Sequence, residues 1–272
     1  MESNKDIIKT FIVFIVIGLL LSVLYKIIYN TYEYNIYFLK AINADSIIIQ
    51  SENANILIDT AEEKDNTTLA LKLSELNITK IDYLIITHPD KDHIGNASFI
   101  INNYNVLNII ETSFDKGSNL QKIFKENLKK QSNINHIVLQ DDYNFEIENM
   151  HFKILVPNES KYKEDNDYSL VTYLNIGKIN FMFTGDIEQT RIKEQLEKEN
   201  MDVDVYKIPH HGRYNNLSLD LIKKVTPEYA ISTGDTDSEI TNFLNANSIK
   251  YYNTEENTIH FSTNGTKLKV LN

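Results

Sequence analysis

The sequence predicts a layered α/β fold in which two sheets pack face to face and helices cover their outer faces. Its 272 residues are enough for one substantial domain plus an accessory segment. Beyond residue 40, short apolar runs alternate with amphipathic stretches, as strands alternate with helices. The order strand, strand, helix, strand occurs in the first half and again in the second, and two such halves suit two packed sheets.

The N-terminal segment predicts a transmembrane helix. Residues 10–25 (TFIVFIVIGLLLSVLY) carry no charge, and Lys9 and Lys26 at the ends can snorkel, so the apolar stretch is long enough to span a bilayer. No small-residue cleavage site follows, and five tyrosines between residues 25 and 37 suit an interfacial aromatic belt. We therefore expect an uncleaved anchor with a short linker over residues 1–34, rather than a cleaved signal peptide or a buried helix. The flanking lysines do not determine its orientation.

The remaining elements are predicted within a single domain over residues 35–272. The segment near residues 30–37 is expected to link this domain to the N-terminal helix. In the first half, residues 46–50 and 55–59 predict paired strands, residues 67–76 have helical spacing, and residues 82–87 predict a buried strand. In the second half we expect strands at 170–176, 178–184, 204–208, 229–232, 259–261 and 267–271, and helices at 188–199, 218–224 and 239–246.

Composition narrows the chemistry that this chain can perform. It has no cysteine, which excludes a disulfide framework, a thiolate metal site and a cysteine nucleophile. Any bound metal must therefore be held by histidine and carboxylate. The net charge of −11 argues against high-affinity binding to a phosphate backbone, which normally needs a basic face. Neither a phosphate-binding P-loop nor a Ser-His-Asp triad motif is visible.

The strongest motif is residues 87–95 (THPDKDHIG), directly after a predicted buried strand. Within six residues it offers His88, Asp90, Asp92 and His93. The end of a strand is where a rigid scaffold can project several side chains toward one point. Imidazole and carboxylate are ligands for zinc, manganese or iron. A polar turn is the alternative, but H-x-D-x-D-H after a strand is rare by composition, so the motif predicts a metal site.

Three further segments also lie next to predicted strands, and each is weak alone. Asp186 ends a T-G-D turn after an apolar strand, and His210 and His211 follow another strand within P-H-H-G. Asn166 and Ser169 precede a third strand and could supply polar groups to the same cavity. The remaining histidines are interpreted as structural; they are His136, His151 and His260.

Together these motifs resemble the metallo-β-lactamase fold family, and within it the hydrolase domain of ComEC-type competence proteins. The similarity covers essentially everything after residue 35. The segments that carry it are Ala44-Asp45-Ser46, Asp59-Thr60, H-x-D-x-D-H, N-D-x-S-L-V from Asn166, T-G-D and P-H-H-G. It implies a four-layer αββα sandwich. Several positions depart from the wider pattern. Asp90 replaces a histidine, as in the ComEC-like branch, Ala61 replaces a glycine, and Arg213 replaces a serine. Residues 42–45 (INAD) stand where the family has G-Q-G-D.

The resemblance also implies roles for the motif residues. His88 and Asp90 would hold one metal ion, and Asp92 and His93 the other. Asp186 would bridge the two ions, and His211, or alternatively His210, would complete the second site. Because carboxylate is a harder ligand than imidazole, Asp90 shifts the expected metal toward manganese, with zinc still possible. The predicted catalytic residues are Asp92, His210, Asn166 and Ser169.

The function that these observations predict is a membrane-anchored, metal-dependent hydrolase that cleaves phosphodiester bonds with a metal-activated water. Its expected partners are the membrane, a small phosphoester or nucleic-acid substrate, and competence or cell-envelope proteins. By analogy, the domain is expected outside the cytoplasm on a single-pass anchor in the cell membrane. Two alternatives stay open: a ComEC-like nuclease acting in DNA uptake, and a degenerate, non-catalytic binding or scaffold domain.

Overall fold

The strands of this protein form two sheets. The computed structural model describes residues 4–29, 34–199 and 201–271. The eight strands of the first sheet are β1 (Tyr34–Phe38), β2 (Ile47–Gln50), β3 (Asn55–Ile58), β4 (Lys80–Ile86), β5 (Asn105–Thr112), β6 (Asn135–Leu139), β14 (Ile259–Thr263) and β15 (Leu268–Leu271). The seven strands of the second are β7 (Tyr143–Ile147), β8 (Met150–Leu155), β9 (Val171–Ile176), β10 (Ile179–Phe183), β11 (Val205–Lys207), β12 (Tyr229–Ser232) and β13 (Lys250–Asn253).

Each sheet has an antiparallel part and a parallel part. The order of the first sheet is β15-β14-β1-β2-β3-β4-β5-β6, and it is parallel from β3 to β6. The order of the second sheet is β13-β12-β11-β10-β9-β8-β7, and it is parallel from β10 to β13. The carboxyl ends of the parallel strands can therefore carry a common set of loops, as in open α/β sheets.

The helices are α1 (Asn4–Tyr29), α2 (Asn66–Glu75), α3 (Lys91–Ile94), α4 (Ala97–Asn103), α5 (Asn119–Leu128), α6 (Gln189–Leu196), α7 (Ser218–Val225) and α8 (Ser238–Ala246). Short 3₁₀ helices cover residues 63–65, 165–168 and 210–212.

Three buried apolar clusters define the layers. A central cluster lies between the sheets, and each outer cluster packs helices against one sheet. Side chains alternate between these clusters along each strand: Ile47 and Ile49 of β2 belong to the central cluster and Ile48 to an outer one. Because both faces of β2 are covered, its first three residues are all isoleucine. The predicted four-layer αββα sandwich is confirmed.

The structure corrects the sequence predictions in several places. Residues 34–37, which we expected within a linker, belong to β1, and this strand pairs with both β2 and β14. The two C-terminal strands return to the first sheet. Residues 97–155 contain four strands and two helices that periodicity did not identify. The side chains described in α1, residues 8–24, are exposed. No helix within the described residues is long and apolar enough to span a bilayer, so the transmembrane prediction lacks support.

Candidate metal centre

All predicted site segments meet at one edge of the sandwich. In the first sheet, the loops after β3 and β4 carry Asp59 and the 87–95 motif, while Asp45 precedes the antiparallel β2 at the same edge. In the second sheet, Asp186 follows β10 and the histidine pair follows β11. Strand direction therefore explains why motifs far apart in sequence converge.

Four side chains form a compact group of potential ligands. One donor atom from each of Asp92, His93, Asp186 and His211 lies within 4.8 Å of the others. His211 Nε2 lies 2.9 Å from Asp186 Oδ2 and 3.2 Å from Asp92 Oδ2. His93 Nε2 lies 3.3 Å from Asp186 Oδ2 but makes no hydrogen bond to it. All except Asp92 are buried.

The Asp59 carboxylate orients this group from behind. It accepts the Thr87 backbone N–H at 2.8 Å and the Thr87 hydroxyl at 2.7 Å, and its Oδ2 lies 2.8 Å from His93 Nδ1. A carboxylate that accepts from one imidazole nitrogen leaves the other nitrogen free to bind a metal. Although burial alone would lower it, the Asp186 and Asp59 carboxylates hold the pKa of His93 well above its usual range. His93 Nε2 therefore faces the other ligands but must lose a proton before it can bind a metal ion.

The second orienting carboxylate is Asp45. It accepts the Thr233 hydroxyl at 2.5 Å, and the same hydroxyl lies 2.9 Å from His211 Nδ1. The ammonium group of the fully buried Lys207 lies 2.5 Å from Asp45 Oδ2 and 3.4 Å from Asp186 Oδ1. Asp45, Asp59 and His93 also lie close together. The oxygens of Asp45 and Asp59 are already used in the contacts described above, so these two carboxylates support the four-residue group.

Charge within the site sets its protonation. Burial alone would lower the pKa of His211, but the Asp186 carboxylate and hydrogen bonds to Asp45 and Asp92 raise it to about 10. Burial would raise the pKa of Asp92, yet the hydrogen bond from His211 holds it at about 2. The metal-free site therefore carries a protonated His211 beside an ionised Asp92. A metal ion needs a neutral imidazole, so its binding must release a proton.

His88 and Asp90 lie beside this group but outside it. Burial lowers the pKa of His88 well below its usual range, so the ring is neutral. Its Nε2 atom is buried, has no hydrogen-bond partner in the described structure, and lies 4.0 Å from Asp90 Oδ1. Asp90 is instead paired with Lys116, whose Nζ lies 2.7 and 2.8 Å from its two oxygens.

Asp92, one of the predicted catalytic residues, belongs to the four-residue group, and the other three fall into two places. His210 lies at the mouth of the site, where its Nε2 is 3.3 Å from Asn166 Nδ2 and 3.0 Å from an Arg213 nitrogen. Ser169 is fully buried, and its hydroxyl accepts the Asp186 backbone N–H at 3.2 Å. This placement favours a role for Ser169 in positioning the Asp186 loop over contact with a substrate.

The backbone around the site is strained. Asp59, Ala61, His210 and His211 all have φ between 48 and 56°, a region that non-glycine residues rarely adopt. Such conformations persist only where the surrounding structure enforces them, and they cluster at functional sites. At Ala61 the backbone N–H donates to the Asp45 carbonyl at 2.7 Å, which holds the left-handed turn. The conformation also explains why a glycine would suit this position.

A divalent metal ion fits the four-residue group. Its donors are two imidazoles and two carboxylates, the ligand types of zinc and manganese sites. The buried Nε2 atom of His93, which no hydrogen bond satisfies, supports this fit, because buried polar atoms are rarely left without a partner. The histidines interpreted as structural lie in strands outside the group; they are His136, His151 and His260.

Sequence reasoning did not identify the support of the site. Asp45 and Asp59 stand in the sequence only as parts of the resembling motifs, and neither Lys207 nor Lys116 belongs to a motif. Lys207 did carry a signal, because a lysine within an apolar strand must find a buried partner. Lys116 carried none, since it lies in a polar loop between β5 and α5.

Comparisons with known proteins agree with this geometry. Residues 40–232 match the metallo-beta-lactamase superfamily. The chain is 25% identical over 194 residues to ComE operon protein 3 of Bacillus subtilis, covering 68% of this chain and 25% of that protein. It is 30% identical over 152 residues to Recombination protein 2 of Haemophilus influenzae, covering 56% and 17% respectively. The chain thus spans a quarter or less of the length of these relatives.

Solved structures show the same fold at low identity. The metallo-beta-lactamase fold protein YhfI of Bacillus subtilis superposes with a TM-score of 0.58 at 13% identity, and the match covers 85% of this chain and 99% of YhfI. The superfamily match covers the first-sheet motif, the T-G-D turn and the histidine pair, which contain the whole four-residue group. This chain belongs to the metallo-β-lactamase superfamily.

Proposed function

We propose that this chain is a metal-dependent hydrolase that acts on phosphodiester bonds. The observation that carries the proposal is the group of Asp92, His93, Asp186 and His211, whose donor atoms lie within 4.8 Å of one another. Divalent ions held there would polarise a phosphoryl oxygen and lower the pKa of a water toward neutrality. The carboxylates and imidazoles of the group would bind and orient the ions.

Residues at the mouth supply the remaining chemistry. Arg213 is exposed, and Lys116 is partly exposed, so both can attract an anionic substrate to an otherwise acidic chain. Burial lowers the pKa of His210, so its ring is neutral near pH 7 and can accept a proton. Asp92, the most exposed of the four ligands, can also orient the attacking water.

Nucleic acid is a second candidate substrate. The similarity to Recombination protein 2 and to Competence protein ComA of Neisseria gonorrhoeae supports it. The net charge of −11 argues against tight binding to long DNA. A small phosphodiester therefore remains the first choice, and oligonucleotides are a separate arm of the test.

The test uses the full chain purified without chelator. Metal content is measured first, followed by hydrolysis of bis(p-nitrophenyl) phosphate, and of single-stranded and duplex oligonucleotides, with added Mn²⁺ or Zn²⁺. Asp186→Asn should lose both bound metal and turnover. The matched control is Asp204→Asn, at the opposite end of β11, where the carboxylate accepts the Asn180 N–H. A wild-type chain with neither metal nor turnover would instead indicate a non-catalytic scaffold.

A further inference from the structure

Lys116 and Asp90 form an ion pair beside the four-residue group. Both Asp90 oxygens lie within 2.8 Å of Lys116 Nζ, so the carboxylate already has a cationic partner. The same ammonium lies 3.3 Å from Asp165 Oδ2. Lys116 therefore bridges the H-x-D-x-D-H loop and the 3₁₀ helix at 165–168.

The position of Lys116 is fixed by its loop, residues 113–118. The Phe114 ring stacks on Tyr168 with centroids 3.9 Å apart and planes 2° apart. Gln121 accepts the Gly117 N–H at 3.0 Å and donates to the Phe114 carbonyl at 3.2 Å. These contacts hold both ends of the loop, so the lysine side chain starts from a defined point beside Asp90.

The donors on this side of the site are few. Among the described residues, neither His88 nor Asp90 belongs to a group of three or more close carboxylates and imidazoles. His88 Nε2 is buried without a hydrogen-bond partner and lies 4.0 Å from Asp90 Oδ1, so the two could share an ion. An ion there would meet a neutral imidazole and a carboxylate whose charge Lys116 already offsets.

We propose that Lys116 is a built-in cation that competes with a metal ion for Asp90, so that the chain binds one ion tightly and a second one weakly. The inference rests on the proposed function, because it assumes that the four-residue group holds the tight ion. Lys116 must leave Asp90 before an ion can use that carboxylate, and Asp165 offers the ammonium an alternative partner. Lys116 thereby limits occupancy of the His88–Asp90 position.

In the experiment, the metal-free full chain is titrated with Mn²⁺ alone. Binding is measured by calorimetry and by equilibrium dialysis. The wild type should bind one ion tightly and a second at least tenfold more weakly. Lys116→Met should tighten the second ion at least tenfold, which corresponds to about 1.4 kcal/mol. Lys116→Arg keeps the cation and should behave as the wild type. The matched control is Lys125→Met. Lys125 Nζ lies 3.1 Å from Oδ2 of Asp115, which is in the same loop as Lys116.

A double variant tests the route of the effect. Adding Asp90→Asn to Lys116→Met should return the second ion to weak binding, because the carboxylate that Lys116 releases is then absent. Two equally tight ions in the wild type, or no change on Lys116→Met, would overturn the inference while leaving the hydrolase proposal intact. A higher KM of Lys116→Met with unchanged ion binding would also overturn it. Absence of any bound ion in the wild type would overturn both.

Discussion

His93 and Asp59 are joined by a 2.8 Å contact between Nδ1 and Oδ2, and this contact directs His93 Nε2 toward Asp186. Asp59 is itself held by two bonds from Thr87. The orientation of a predicted ligand in the first sheet therefore depends on a buried carboxylate at the end of the neighbouring strand.

Asp59→Asn should lower metal affinity roughly 10- to 100-fold, because losing the partner that orients a metal-binding histidine usually has an effect of this size. The measurement is calorimetric titration of the metal-free chain with Mn²⁺. Asp82→Asn is the control, because Asp82 is also buried and accepts the Asn55 N–H at 2.9 Å, but it lies outside the ligand group. Equal affinities for the Asp59 and Asp82 variants would contradict the assigned role.

Lys207→Met should destabilise the metal-free protein by about 3–5 kcal/mol, because it leaves the Asp45 charge buried without its ion pair. Adding Asp45→Asn should recover much of this loss. The free energy of unfolding is measured by urea denaturation in chelator. Lys153→Met, on an exposed position of β8, should change stability by less than about 0.5 kcal/mol. A Lys207 variant as stable as this control would show that the buried pair contributes nothing.

Alanine variants of His210 and His211 should have different effects, one on turnover and the other on metal binding. His211→Ala should lose the tight ion, whereas His210→Ala should keep it and reduce kcat by about 10²-fold or more, the usual range for a proton-transfer group. Both residues have a left-handed backbone, with φ of 48 and 56°, so alanine imposes similar strain at each. Metal content and kcat are measured on both variants. The reverse pattern would exchange the two assignments.

His260 should make stability depend on pH. Burial, together with the nearby Lys72 charge, lowers the pKa of His260, whose ring stacks on Tyr37 with centroids 4.1 Å apart. The folded state therefore resists protonation more than the unfolded chain does. Its contribution is present above about pH 6.5 and is lost as the pH falls through the folded-state pKa.

His260→Gln should accordingly flatten the acid side of the stability curve. Urea midpoints are compared for the wild type and the variant from about pH 7.5 down to about pH 5, in chelator, so that metal binding does not contribute. If the two midpoints are similar at neutral pH, the curves should diverge toward the acid end, where the wild type loses stability and the variant does not. Parallel curves over the whole range would show that protonation of His260 is not linked to folding.

Several features could be predicted from local sequence. Strands β2 and β4 contain the apolar runs III and YLII, and the polar motifs follow strands directly, so both the layers and the ligand types could be inferred. The elements over residues 97–155 did carry a local signal, because β7 (YNFEI) and β8 (MHFKIL) alternate between apolar and polar residues. Residues 34–37 resemble a linker in local sequence, because the strands that pair with β1 on both sides become its neighbours only in the folded sheet.

The sequence by itself determined which side chains could bind a metal and that they would lie at strand ends. Only the tertiary structure decided how they combine: Asp92 meets His211 across 119 residues of chain, and Thr233 meets Asp45 across 188. It also placed Lys207 between Asp45 and Asp186, and Lys116 on Asp90. The physical reason is that strand periodicity and turns arise from neighbouring residues, whereas these contacts depend on strand order and on how the two sheets pack.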